Sequence, residues 1–202
     1  MSLRKSLAIV LALAGFALAG TANAAIIFSD DFDTENGGSW QLNFGGFTQW
    51  TVSDGTVDLI GAGSPYDLLP GNGLYVDMDG STTNAGKMTS IAINLVAGTY
   101  TLQFDLAGNQ RNGGTESVTV QVNMGPLVSD SISLPQNAPF TTYQYTFSVA
   151  APTAVNLSFE GAGGDNFGML LDNVSVSVPE PGTLALLGLG LVGAGLARRR
   201  RR

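Results

Sequence analysis

The 202-residue chain contains no cysteine and no histidine, and only nine lysines and arginines. Without cysteine there is no disulfide to staple the fold, so packing must hold it, alone or with a bound metal. Without histidine there is no Ser-His-Asp triad. Lacking both, the chain has none of the usual zinc ligand sets. No G-x-x-x-x-G-K-[ST] phosphate loop is present either. The few cations are also unevenly placed. Arg4 and Lys5 stand near the front and Arg198 to Arg202 at the end, which leaves Lys87 and Arg111 for everything between. Of sixteen acids only Glu180 lies outside residues 25–178, so that stretch carries a net charge of about −13, against −7 for the whole chain. Such a surface repels nucleic acid and anionic membrane, and leaves two readings open: divalent-cation binding or plain solvated acidity.

Both ends read as processing segments. At the front, the basic pair precedes an apolar run, Leu7 to Ala19, and then Ala22-Asn23-Ala24. That order predicts a helical signal peptide over residues 1–24, removed by signal peptidase at an A-x-A site before Ala25. At the back stand Pro179, Glu180 and Pro181, a charge-free apolar run from Thr183 to Ala197, and the arginines Arg198, Arg199, Arg200, Arg201 and Arg202. Two prolines fix φ and remove donors, so the triplet is an extended spacer. The apolar run predicts a helix about 22 Å long. That falls short of a hydrocarbon core of about 30 Å, a gap that flanking residues and snorkelling arginine stems can narrow. By the positive-inside rule the arginines mark the cytoplasmic side.

This tripartite tail resembles the PEP-CTERM sorting signal of Gram-negative bacteria. The resemblance covers residues 179–202 and implies an exported protein held transiently in the inner membrane, its body in the periplasm. An exosortase then cleaves near the triplet and releases the body to the cell surface or extracellular matrix.

Between the ends, residues 25–178 alternate with period 2. Tyr100, Leu102, Phe104 and Leu106 share one face, and Thr99, Thr101, Gln103 and Asp105 the other. Val118, Val120 and Val122 repeat the pattern, as do Tyr143, Tyr145, Phe147 and Val149. No sustained helical period occurs. Some ten or eleven strands between Gly, Asn and Asp turns predict an all-β, antiparallel β-sandwich of the jelly-roll kind. Asp54-Gly55 reads as a tight hairpin turn.

What chemistry remains belongs to carboxylates and aromatics. Asp172 alternates in register with Leu170, Val174, Val176 and Val178, and a carboxylate on such a face needs a partner. Asp77 and Asp79, at i and i+2, are expected on one strand face about 7 Å apart. They are read as ligand-binding, with a second cation site, a solvated loop or a glycosidase pair as alternatives. Trp40 and Tyr66 sit among Gly, Ser and Pro and are the aromatics best placed to be exposed, where a sugar ring could stack on them. The Gly161 to Gly168 loop weakly resembles one calcium-binding nonapeptide repeat. Leu171-Asp172-Asn173-Val174 resembles the closing strand of galactose-binding-like jelly rolls, the fold of many carbohydrate-binding modules. That resemblance implies a structural calcium held by some of Asp31, Asp33 and Asp172 with backbone carbonyls. The leading expectation is a non-catalytic exported domain that binds polysaccharide. The alternatives are a structural matrix protein without a ligand and a carboxylate-dependent hydrolase or lyase.

Overall fold

The computed structural model describes residues 24–82, 84–111, 114–122 and 126–178. Thirteen strands run through them: β1 Ala25–Asp30, β2 Trp50–Ser53, β3 Asp58–Gly61, β4 Leu74–Asp77, β5 Lys87–Ser90, β6 Ile93–Leu95, β7 Gly98–Ala107, β8 Thr115–Val122, β9 Val128–Pro135, β10 Thr141–Val149, β11 Thr153–Val155, β12 Leu157–Gly161 and β13 Leu170–Val178. One sheet has the order β10-β7-β13-β4-β3, with β1 also paired to β13. The second has the order β2-β5-β12-β8-β9, and β6 and β11 form a small separate ribbon. Apart from one bridge, Thr56 to Ala85, the registered pairings are antiparallel.

The core between the two large sheets follows from the alternation. Leu102, Phe104 and Leu106 of β7 are fully buried, as are Val118, Val120 and Val122 of β8. Phe104 lies parallel to Tyr143 and Tyr145 and meets Phe159 edge-on at 5.0 Å between centroids. Each such side chain contributes about 1.5–3 kcal/mol by leaving water. Residues Ile26–Val178 form one compact unit.

Two local expectations change. Asp54-Gly55 does not close a hairpin: β2 and β3 belong to different sheets, and the turn, with Asp54 at φ 62°, carries the chain across the sandwich. After Ser90 the chain leaves the second sheet and pairs β6 with β11. More important, the register of β13 shifts between Asp172 and Ser175, and Asn173 adopts φ 50°. This bulge inserts a residue and inverts the alternation. Leu171, Val174 and Val176 therefore face the main core, while Leu170 joins a second apolar cluster with Ile60, Tyr75 and Ala107. Asp172 shares the parity of Leu170, not of Val174 and Val176. The predicted signal helix and tail helix, with Ala22, Pro179, Glu180, Pro181 and the five arginines, lie outside the described residues. Ala24 is exposed just before β1. Among the described residues no helix is long and apolar enough to cross a membrane.

Phe104 sits where both sheets meet, so Phe104→Ala is expected to lower unfolding free energy by about 3–5 kcal/mol in a denaturant titration.

Candidate functional site

Edge strand β3 has two aromatic residues gathered at its C-terminal end. Gln41 forms a two-bond bridge with Leu59 (2.9 and 3.0 Å), which fixes Trp40 beside the strand. Tyr66 stands in the loop that leaves β3. Ala62 N–H donates to the Gly73 carbonyl at 2.7 Å and closes that loop. Ser64 Oγ accepts from the N–H groups of Gly61 and Tyr66. The Tyr75 hydroxyl, beneath, accepts from Leu69 N–H at 2.9 Å. Burial pushes the Tyr75 phenol up to about 12, so it stays a neutral hydrogen-bonding post. The result is a T-shaped pair, Trp40 and Tyr66, with ring centroids 6.4 Å apart and exposures of 38% and 40%. Sequence reasoning named both rings as exposed; the structure adds that they touch.

Tyr66 also borders a small pocket of about 60 Å³ shared with Leu42, Asp58, Ile60, Asp77, Ser81, Arg111 and Asn166. Asp58 and Asp77 are direct cross-strand partners in β3 and β4 and are 4% and 1% exposed. Two such carboxylates side by side would repel strongly. Asp58 is held by the N–H groups of Asn43 and Ser81 on Oδ1 and by the Ser81 hydroxyl on Oδ2. Asp77 Oδ1 accepts from the N–H groups of Asp79 and Gly168, and its Oδ2 is in direct contact with Arg111 Nη2. Gly168 must be glycine, since a Cβ there would run into the Asp79 N–H and the Asp77 carboxylate. Burial pushes Asp77 up to about 7 against the pull of Arg111. The Arg111 guanidinium lies 4.7 Å over the Phe167 ring, and its backbone N–H donates to the Asn109 side chain.

Asp79 lies beyond the end of β4, in a turn, rather than beside Asp77 on a strand face. It is 2% exposed, its Oδ1 has no hydrogen-bond partner among the described residues, and burial with Asp165 and Glu116 nearby pushes it up to about 6. The two acids expected on one strand face are thus both buried, one of them committed to an ion pair.

The first-strand acids divide by role. Asp30 accepts from Phe32 N–H and the Trp50 indole, and Glu35 from the Thr48 N–H and hydroxyl. Asp31 accepts from Asp33 N–H. Asp33 Oδ1 accepts from Leu74 N–H at 2.7 Å, close enough to Gly73 to forbid a side chain there. Asp172, 2% exposed, pairs across the sheet with Asp105, an acid that the sequence does not single out. Its Oδ1 accepts from Asn173 N–H. Burial, with Asp105, Asp33 and Asp31 adding repulsion, pushes it up to about 8. The donor set suits calcium in chemistry: hard oxygens, excess negative charge, and among the described residues no cation paired with these acids. It does not form a ready cage, because among the described residues no three acids converge to hold one ion. A polar groove of about 520 Å³ runs beside this cluster, past Asp31, Gln49, Gln103, Asp105 and Asn173.

The sheets and sites define an antiparallel β-sandwich with solved counterparts at low identity. The chain is similar to the K3 cleaved adhesin domain of Lys-gingipain from Porphyromonas gingivalis W83 (TM-score 0.48, 16% identity, 77% of this chain and 99% of that one). It is similar to TmCBM61, solved with β-1,4-galactotriose (TM-score 0.46, 15% identity, 67% and 97%). It is also similar to the C-terminal CBM6 of LamC, a marine laminarinase from Zobellia galactanivorans (TM-score 0.43, 18% identity, 64% and 93%). No curated protein matches the chain in sequence. Residues 177–202 match the PEP-CTERM protein-sorting motif, the mark of an exported protein processed by exosortase.

Four buried acids, Asp30, Asp77, Asp79 and Asp172, have raised pKa values and set the pH response. Each binds its proton more tightly folded than unfolded, so ionisation disfavours the fold and stability falls as pH rises from about 4 to 8. With chelator present, the melting temperature is expected to be higher at pH 5 than at pH 8. Asp172→Asn should flatten the upper part of that decline in a thermal-melt series.

Proposed function

We propose that this is an exported, non-catalytic protein of the cell surface or extracellular matrix whose β-sandwich binds polysaccharide through Trp40 and Tyr66. The observation that carries the reading is the exposed aromatic pair over a polar pocket. Large rigid rings that remain in water on a loop pinned from below offer apolar faces for a sugar ring, with hydrogen-bonding groups beside them for its hydroxyls. Asp77 and Asp79, the other proposed ligand-binding residues, act in this reading as the support behind the pocket. The hydrolase alternative loses its pair, because both oxygens of Asp77 are occupied and a general acid or base needs one free. Glycan-array binding of the purified full chain tests the proposal. Trp40→Ala and Tyr66→Ala should each weaken the best binding about tenfold or more while leaving the melting temperature unchanged. No binding to any glycan, or binding indifferent to both substitutions, would leave a purely structural matrix protein as the better reading.

Calcium belongs to the same proposal. Since no three acids converge among the described residues, an ion there would draw on some of Asp31, Asp33 and Asp172, with backbone carbonyls completing the shell. Bound there, the ion would neutralise the buried Asp172–Asp105 repulsion and tie the β1 region to β7 and β13. At calcium about a hundredfold above its dissociation constant, the melting temperature at pH 7.5 should rise by roughly 5–10 °C over the chelated protein. An unchanged melt, with and without chelator, would remove the ion from the picture. In life, transient inner-membrane anchoring and exosortase release would deliver the domain outside the cell.

A further inference from the structure

The pocket beside Tyr66 has a composition that selects among sugars. Its lining combines the apolar side chains of Leu42 and the buried Ile60 with polar groups from Ser81, Asn166 and Arg111. At about 60 Å³ it has room for roughly two water molecules, the bulk of a CH₂–OH arm. The Ser81 hydroxyl gives its proton to Asp58 at 2.7 Å, so its lone pairs are left to accept one from a ligand. The exposed Asn166 amide can both donate and accept.

The charges argue as strongly. Two buried carboxylates line the pocket and only one guanidinium. That guanidinium is clamped between Asp77 and the Phe167 ring. Lys87, the one other cation of residues 25–178, is paired with Glu160 at 3.1 Å. An incoming carboxylate or sulfate would enter beside Asp58 and Asp77, two carboxylates against one guanidinium already in contact with Asp77, inside a domain carrying about −13.

We infer that the site takes neutral hexose polysaccharides, with the hexose ring against Trp40 and Tyr66 and its exocyclic hydroxymethyl arm in the Leu42–Ile60 pocket, and that it discriminates against pentose and uronate chains. The inference rests on the sugar-binding reading of the aromatic pair and adds the substrate class to it. Leu42, Ile60, Ser81 and Asn166 are then specificity-determining residues.

Titration calorimetry on the purified full chain tests it with β-1,4-linked tetrasaccharides of glucose, mannose and galactose, with β-1,4-xylotetraose, which lacks only the hydroxymethyl arms of the glucose series, and with an oligouronate. At least one hexose series should bind about tenfold or more tighter than xylotetraose and the uronate. Leu42→Phe, which fills the pocket with another apolar side chain, should bring the best hexose to within about twofold of xylotetraose. Xylotetraose or the uronate binding as well as every hexose overturns the inference from the unsubstituted protein alone, whether or not the variant folds. Binding abolished by Trp40→Ala but showing no hexose preference keeps the sugar site and overturns only its specificity. Absence of binding to every probe overturns both.

Discussion

The contact of Arg111 with Asp77 is the interaction on which the site-bearing end of this sandwich depends. β3 and β4 place Asp58 and Asp77 opposite each other, both removed from water. One uncompensated charge in such a place costs several kcal/mol. A single guanidinium, brought in from the loop after β7, offsets one carboxylate, while backbone N–H groups and Ser81 satisfy the other. With the pair neutralised, β3 can pack at the sheet edge and hold Trp40 and Tyr66 together near its C-terminal end. The same guanidinium covers Phe167 and so orders the glycine-rich loop that feeds β13.

The second cross-strand acid pair, Asp105 and Asp172, makes the contrast plain. It has the same local geometry, side by side on neighbouring strands, but no cation comes to it among the described residues. In a domain with two cations and fifteen acids, one pair can take an arginine and the other cannot. The first pair is thus settled by an arginine, whereas in the second Asp105, only half-buried, accepts from the Thr142 hydroxyl and the Asn173 amide instead.

How much of this is legible in the sequence depends on the range of the signal. Period-2 alternation is a local property, and β7, β8, β10 and β13 stand close to where it places them. Trp40 and Tyr66 could be singled out because glycine, serine and proline surround them, although their mutual contact needs the loop closure by Ala62 and Gly73. The face of Asp172 was not legible: one left-handed residue, Asn173, inverts the alternation, and nothing in Leu171-Asp172-Asn173-Val174 announces it. Nor was the partner of Asp77, 34 residues away. A lone arginine among many acids signals that some ion pair exists, but not which acid it finds. Asp105 was invisible for the same reason, since its importance comes from strand register alone.

The post formed by the Tyr75 hydroxyl under the Leu68–Leu69 turn has a further consequence for recognition. A loop that must order itself around each ligand loses entropy with every encounter, and its association slows accordingly. Here that ordering is complete when the chain folds, because the Tyr75 hydroxyl already accepts the Leu69 N–H. The two rings are a preset jaw. If the proposed sugar site is right, differences in affinity between glycans would reside in how long they stay rather than in how fast they arrive.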